Sequence, residues 1–451
     1  MMCVKNLKNK CLFPCKEFWN TYNNEYVTKK LVTSNSGEIF MNFKKLLKGG
    51  MVAAMATSMV ACGSSSSSTS STTSTADASS TTETTSTGDA IKIGISGPLT
   101  GGAAVYGNAV KNAAELAIEE VNALGGLQFE LRFEDDTHDA EKAVTSYGVL
   151  KDWGMQVSLL TVTSTPGAAV APSYAEDHIF ALTPSASSLA VIYQDAENQT
   201  NAYGNVFQMC FTDPNQGVAS ADYINEHASL LGEKVGIIYK SDDNYSTGIY
   251  EKFIAEAESL GLSVVYTGSF DDSNASDFSV QLTQAQENNA TLLFLPIYYD
   301  PASVILKQAN DMGYEPTFFG VDGMDGILSV EGFDTSLAEG VYLLTPFSAD
   351  ATDDKTVSFV TKYEEKYGDT PNQFAADVYD CIYAIYQAAS NAGVDASWDA
   401  STICDALTSE FTSMTFDGIT GTEVTWNANG EVSKSPKAVV IENGVYVGVE
   451  D

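Results

Sequence analysis

The chain has 451 residues, 44% of them hydrophobic, with 59 acidic side chains against 23 basic ones. That length exceeds the usual size of one compact core, so two lobes or domains are expected, and the apolar fraction is enough to bury both. A folded surface this negative repels phosphate backbones, which excludes nucleic acid as a partner.

The charge is uneven along the chain. Residues 1–61 hold nine lysines and three acidic residues, and the rest holds 14 basic and 56 acidic ones, with Arg132 the only arginine. The cysteines are Cys3, Cys11, Cys15, Cys62, Cys210, Cys381 and Cys404, with no CxxC pair and no His cluster beside them. That spacing argues against a zinc site. Cys381 and Cys404 could pair, but buried free thiols are the simpler reading. No cofactor is implied.

Residues 41–63 read MNFKKLLKGGMVAAMATSMVACG. Lys44, Lys45 and Lys48 precede the short apolar run Met51–Met59, which is too short to span a bilayer as a stable helix. Met59-Val60-Ala61-Cys62 resembles the lipobox of bacterial lipoprotein signal peptides. By that pattern residues 41–61 are a cleaved signal and Cys62 is the lipidated first residue. An ordinary apolar segment with a chance cysteine is the plainer alternative. Met41 is the natural start of such a signal, so residues 1–40 are read as an over-extended start. Residues 62–90 are almost wholly Ser, Thr and Ala, with too little apolar area to offset ordering entropy, and are expected to form a flexible tether. Anchor and spacer together place the folded part on the outer face of a cell membrane, of Gram-positive type.

From Ile91 short β-rich runs alternate with amphipathic helical stretches. IKIGIS (91–96), FELRFED (129–135), SLLTVT (158–163) and IFALT (179–183) read as strands, separated by helices near 106–124, 139–151 and after 163. A second series follows Asp213-Pro214: helix 215–231, VGIIY (235–239), helix 246–260, LSVVY (262–266), helix 276–288, TLLFLP (291–296), helix 301–312, TFFG (317–320) and GVYLLTP (340–346). Long helices near 353–367 and 373–391 come next, then short antiparallel strands EVTW, KAVVIE and VYVGV. Repeated βα order implies α/β architecture with parallel sheets covered on both faces. Two such units, linked more than once, enclose a cleft lined by loops at the carboxyl ends of the strands.

Those loops carry the chemistry. Ser96-Gly97-Pro98-Leu99-Thr100-Gly101-Gly102 follows the first strand, with Tyr106 at the next helix start. Thr163-Ser164-Thr165-Pro166-Gly167 and Thr183-Pro184-Ser185-Ala186-Ser187 follow the third and fourth. Two hydroxyl-rich loops at helix N-termini make an anion cradle, because free N–H groups and the helix dipole both favour a carboxylate. The plainer reading of each is a helix cap. The second half supplies Tyr245, Tyr298-Tyr299-Asp300 and Asp322, and an aspartate flanked by tyrosine hydroxyls can receive an ammonium group. Asp322 as a turn residue and Tyr298 as packing are the plainer alternatives. An enzyme finds little support: His138, His178 and His227 are the only histidines, none lies near a nucleophile elbow, and Gly97, Gly101 and Gly102 do not form GxGxxG. His138 is read as solvated.

Taken together, IKIGISGPLTGGAAVYG, AIEEVNALGG, FEDDTHDAEKAV, TSTPGAAVAPSYAEDHIFALTPSAS, Asp213-Pro214-Asn215-Gln216-Gly217 and FFGVDGM resemble the type I periplasmic binding proteins. The nearest likeness is to the leucine/isoleucine/valine-binding lipoproteins of ABC transporters, from Ile91 to the C-terminus. The resemblance implies two Rossmann-like lobes joined by three crossover strands, 91–213 with 347–422 and 214–346 with 423–451, hinged near 211–215, 345–348 and 420–423. It implies an amino-acid ligand, with branched-chain amino acids the first guess and an amide, urea or aromatic acid the alternative. It also implies transporter permease and ATPase partners, a monomer, and no catalysis; a sensory subunit of the same fold is the alternative role. Carried over by position, the carboxylate falls to Ser164, Ser185 and Ser187, the ammonium to Asp322, and the aromatic contacts to Tyr106, Tyr245 and Tyr298. The chain departs from the family pattern in having no cysteine near Asp135-Asp136 to bridge to the third-strand loop, and in Gln208 where a basic residue is common.

Overall fold

The computed structural model describes residues 90–449. The expected signal, the expected lipidation at Cys62 and the expected tether up to residue 89 lie outside the described residues. The first run of elements is β1 (Ile91–Gly97), α1 (Ala104–Ala123), β2 (Phe129–Asp135), α2 (Ala140–Trp153), β3 (Val157–Thr161), α3 (Ser164–Glu176), β4 (Phe180–Thr183), the hairpin β5 (Tyr193–Asp195) and β6 (Thr200–Ala202), and β7 (Val206–Gln208). The second run is α4 (Asp213–Glu226), the single turn α5 (Ala228–Leu231), β8 (Lys234–Lys240), α6 (Asn244–Leu260), β9 (Ser263–Phe270), α7 (Ser279–Glu287), β10 (Leu292–Leu295), α8 (Tyr299–Met312), β11 (Thr317–Gly320) and β12 (Tyr342–Thr345). Then come α9 (Asp354–Tyr367), α10 (Gln373–Ala392), α11 (Ala400–Phe411), β13 (Lys437–Glu442) and β14 (Val445–Gly448).

Two sheets result, ordered β2-β1-β3-β4-β7 and β14-β13-β12-β11-β10-β8-β9. The first is parallel throughout, and the second is parallel except for β13 and β14. The strand order reverses at β1 in one sheet and at β8 in the other, so a crevice opens beyond their carboxyl ends. Helix starts are marked in the sequence by short polar residues. Asp139, Asp243, Asp353, Asn372 and Asp399 each accept a hydrogen bond from a first-turn N–H, which satisfies a donor the helix itself cannot.

Buried side chains cover both faces of each sheet. Leu150, Val170, Tyr174 and Val191 pack under α2 and α3, while Ile224, Ile249, Phe253 and Phe294 pack under α4 and α6. A third group, including Tyr106, Val110, Ile305 and Ile382, runs through α1, α8 and α10 and belongs to both halves. Helices α4 and α6 approach closely because position 217 is glycine: a Cβ there would lie 2.5 Å from Ile249 O and 2.8 Å from Phe253 N.

The third crossover lies later than expected. Trp426 Nε1 donates to Gln208 O at 2.8 Å, and Gln208 N donates to Gly430 O at 2.9 Å, so residues 424–432 stay against β7 of the first sheet. Lys437 then pairs with Thr345 in the second sheet. The chain therefore crosses between Ser433 and Lys437, not at 420–423, and EVTW forms only isolated bridges. Lys434, in this crossing, is buried; its Nζ donates to Asp377 Oδ1 at 2.8 Å and to Thr420 Oγ1 at 2.5 Å. Asp380 beside it accepts from the N–H groups of Ile419 and Thr420 and from Thr420 Oγ1.

Cys210, Cys381 and Cys404 are free and buried. Among the described residues no helix is long and apolar enough to cross a membrane.

Candidate functional site

The first wall of the crevice is built on the loops after β3 and β4. Thr163 precedes α3 in extended geometry, and its hydroxyl pairs with His138 Nδ1 at 2.9 Å instead of capping the helix. Helix α3 therefore presents its first N–H groups, with the positive end of its dipole, at Ser164 and Thr165. The loop after β4 was expected to start a second helix. It leads instead into one 3₁₀ turn, Leu189–Val191, capped by Ser188, so the cradle holds a single α-helical N-terminus.

The three serines are not equivalent. Ser164 Oγ accepts from Ser188 N at 3.1 Å and keeps its own hydrogen free to donate. Ser185 donates its hydrogen to Val162 O at 2.6 Å, so it cannot also donate to a ligand carboxylate. Ser187 Oγ is buried beside the Asp213 carboxyl, without a hydrogen bond of full geometry.

The second wall centres on Asp322, which follows β11 and is 3% exposed. Tyr245 donates to its Oδ1 at 2.6 Å and Gln216 Nε2 to its Oδ2 at 3.0 Å. Burial pushes the Asp322 carboxyl up to about 7, opposed by the Tyr245 hydrogen bond and reinforced by the negative field of Asp377. Gln373, at the start of α10, donates its side-chain N–H to Asp322 O at 2.8 Å and its backbone N–H to Asp325 Oδ2 at 2.8 Å.

The two walls touch. Tyr106, fully buried on α1, donates to Gly323 O and accepts from Tyr299 N, while Val105 N donates to Tyr299 Oη at 3.2 Å. Thr165 donates to Asp243 Oδ1 at 3.0 Å. Tyr298 is half-buried, with its ring edge-on to Tyr106 at 5.4 Å and stacked on Tyr245 at 4.8 Å. Its hydroxyl faces the Ser164 N–H, and burial together with Asp243, Asp213 and Asp322 holds its pKa well above the ordinary phenol value.

Of the residues singled out from the sequence, Ser164, Ser187, Tyr245, Tyr298 and Asp322 thus converge on the junction of the two halves. Tyr106 is spent on binding one wall to the other, and Ser185 on its own loop. His138 departs from its solvated reading: it packs edge-on to Tyr298 at 5.4 Å, and burial lowers its imidazole pKa. Sequence reasoning missed Gln216, Gln373, Asp213 and Asp243 as site residues. Asp213 and Gln216 do stand in the crossover motif, whereas nothing local marks Gln373 as more than the residue after a cap.

Two open grooves lie outside the cluster of serines and Asp322, the smaller of them along the edge of the junction at Val105 and Tyr299. One of about 500 Å³ runs past Gly102, Asn108, Asp300 and Glu331, and one of about 660 Å³ past Lys92, Gln156 and Trp398 at the far end of the first sheet. Neither is lined by the serines or Asp322.

Residues 90–444 match the family model described as periplasmic binding protein. The Leu/Ile/Val-binding protein homolog 3 of Brucella melitensis is 27% identical over 237 residues, 52% of this chain and 61% of that protein, so the match spans less than two thirds of the relative. The crystal structure of the branched-chain amino acid transporter substrate binding protein LivJ from Streptococcus pneumoniae, in complex with isoleucine, superposes with a TM-score of 0.69 at 25% identity, covering 80% of this chain and 100% of that one. A solute binding protein from R. palustris in complex with benzoate gives 0.70 at 19% identity, covering 80% and 95%, a likeness of fold alone. Paired parallel sheets with reversed strand order, joined by crossing strands, are the type I architecture of these proteins, and this chain belongs to the periplasmic binding protein family.

Proposed function

We propose that the chain is the lipid-anchored, extracellular solute-binding protein of an ABC importer, and that it captures an amino acid between its two halves. One observation carries the reading. The buried carboxylate of Asp322, oriented by Tyr245 and Gln216, stands on one wall, and the N-terminus of α3 with the free hydroxyl hydrogen of Ser164 stands on the other, with Tyr298 stacked on Tyr245 and facing the Ser164 N–H between them. The first suits an ammonium group and the second a carboxylate, and the two together suit a zwitterion. The site does no chemistry on its guest. The halves close around it, exclude water and strengthen the charged contacts, and the closed form is what a transporter recognises.

An aromatic acid such as benzoate is the weaker reading. None of the hydrogen bonds described at the junction comes from a lysine or arginine, so a lone carboxylate would face Asp322 and Asp243 without a counter-charge.

Titration calorimetry with a panel of L-amino acids, small amides, urea and benzoate tests the reading. Binding of an amino acid, abolished by Asp322→Ala, supports it; binding of benzoate or an amide alone rejects it. Cys62→Ser tests the anchor: retention of the protein in the membrane fraction would reject lipidation at Cys62.

A further inference from the structure

Buried polar atoms in folded proteins nearly always have partners, so a group of them left without any points to a missing guest. Six buried atoms here lack a hydrogen bond of full geometry, Ser187 Oγ, Gln208 Oε1, both carboxylate oxygens of Asp213, Gln216 Oε1 and Ser220 Oγ, the Ser187 hydroxyl reaching Asp213 only loosely. They are contiguous. Gln208 Nε2 donates to Ala186 O at 2.8 Å and Ser188 O at 3.1 Å, on either side of Ser187. Asp213 N donates to Ser187 O at 3.1 Å. Asp213, Gln216 and Ser220 share one face of α4 by their spacing of three and four residues.

The imbalance has a sign. Neither glutamine amide can be turned to relieve it, because Gln208 Nε2 faces two carbonyls and Gln216 Nε2 faces the Asp322 carboxylate. Four of the six atoms are therefore acceptors only when Asp213 is ionised, and the other two are hydroxyls that can act either way. No positive charge offsets them. Burial raises the Asp213 carboxyl well above the ordinary carboxylate range, opposed by the hydroxyls of Ser187 and Ser188. The charges acting most on it, Asp322 and Asp243, are both of its own sign, so an arriving cation is what would ionise it. Lys240 is engaged with Asp242 and Asp272, and Lys434 with Asp377. Among the described residues no set of three or more His, Cys, Asp or Glu side chains is placed to hold a metal ion. On the α6 side the Asp213 carboxylate is closed off by Gly248, where a Cβ would stand 2.9 Å from Oδ2. With the α6 side closed, a partner for the ionised carboxylate would approach from the crevice side, carrying N–H donors and positive charge.

We infer that Asp213, with Ser187, Gln208 and Gln216, forms a second cation-receiving subsite, and that the cargo is an amino acid bearing an amino group on its side chain. This rests on the amino-acid reading above and narrows it. The α-ammonium meets Asp322, the side-chain ammonium meets Asp213, and Gln216 lies between them. Asp213 and Gln216 stand about 4.5 Å apart along the α4 axis, and the Gln216 side chain covers the remaining reach to Asp322, a span that suits a diamino acid. Ser187 then serves the ammonium end, and the ligand carboxylate is left to Ser164 and the first N–H groups of α3.

Calorimetric titration of the protein with L-lysine, L-ornithine and L-leucine at pH 7.5 tests this without any substitution. Lysine or ornithine should bind at least tenfold more tightly than leucine. Asp213→Asn should lower that preference at least tenfold, with circular dichroism reporting whether the variant is folded. Leucine binding as tightly as lysine and ornithine overturns the inference and leaves the amino-acid reading standing, the acceptors then being served by water. A lysine preference that survives in folded Asp213→Asn overturns the role of Asp213. If none of the three binds, the inference falls, and the wider panel decides whether the amino-acid reading falls with it.

Discussion

Tyr245 donates its phenolic hydrogen to Oδ1 of Asp322 over 2.6 Å, while its oxygen accepts the backbone N–H of Gly323 at 2.8 Å. One hydroxyl therefore fixes both the carboxylate and the backbone that carries it. Tyr245→Phe keeps the ring stacked on Tyr298 but removes both bonds. Amino-acid affinity should fall by about 1.5–3 kcal/mol, the worth of a hydrogen bond to a charged group. The empty protein should lose about 1–3 kcal/mol of stability through the orphaned Gly323 N–H. Calorimetry and urea unfolding measure the two separately, and unchanged affinity would detach Tyr245 from the site.

The raised pKa of Asp322 makes binding pH-dependent. Its ordinary carboxyl value is about 3.9, and burial brings it to about 7 in the folded, empty protein. The folded state thus holds a proton that the unfolded state has released, and the stability linked to it is present at low pH and lost as pH rises through 7. An ammonium guest favours the ionised form, so affinity should rise from pH 5.5 to 7.5 with release of a proton. Asp325 and Asp377, both raised by burial to about 6, and Asp213, raised by burial well above the ordinary range, titrate nearby, so Asp322→Asn is the control that should remove the part of the profile due to Asp322. Titrations in two buffers of different ionisation enthalpy count the proton. A flat profile in the unaltered protein would contradict the ammonium role.

Thr165 reaches across the junction to Asp243 Oδ1 at 3.0 Å, with Asn244 N donating to the threonine oxygen at 3.4 Å. These bonds need both walls together. Thr165→Val should favour the open arrangement and weaken ligand binding by about 0.5–1.5 kcal/mol, the net worth of one such bond. Small-angle scattering should show a larger radius of gyration at subsaturating ligand, and no change would mean that closure does not depend on this contact.

Lys434 lies buried in the third crossing, on Asp377. Lys434→Met leaves that carboxylate without its cation and should cost about 3–5 kcal/mol in urea unfolding. Replacing Asp377 by Leu in the same protein should recover most of the loss, since an apolar pair can substitute for a buried ion pair. Failure of the double variant to recover would mean that Thr420 and Asp380 need the ammonium as well.

Periodicity made most of the fold legible. Alternation in 129–135 and helical spacing in 106–124 are local signals, and the strands and helices stand within a few residues of them. What escaped is what depends on distant partners. Strand β7 is three residues long and holds its place by pairing with β4 and with Gly430. Helix α11 did carry a signal, with Asp399 as its cap and Ile403, Leu407 and Phe411 at four-residue spacing, all buried. The third crossing was set too early because EVTW resembles a strand, while Trp426 in fact anchors to Gln208 of the first sheet. At the site, residue types were readable but hydroxyl hydrogens were not. Only geometry shows that Ser185 spends its hydrogen on Val162 O whereas Ser164 keeps its own.

The most direct test is a crystal structure of the protein grown with a bound amino acid. The account predicts density at the junction of the two sheets, with the α-nitrogen within hydrogen-bonding distance of Asp322 and the carboxylate against Ser164 and the first turn of α3. A guest seated instead in the groove beside Asp300, or bound with its nitrogen turned away from Asp322, would contradict it.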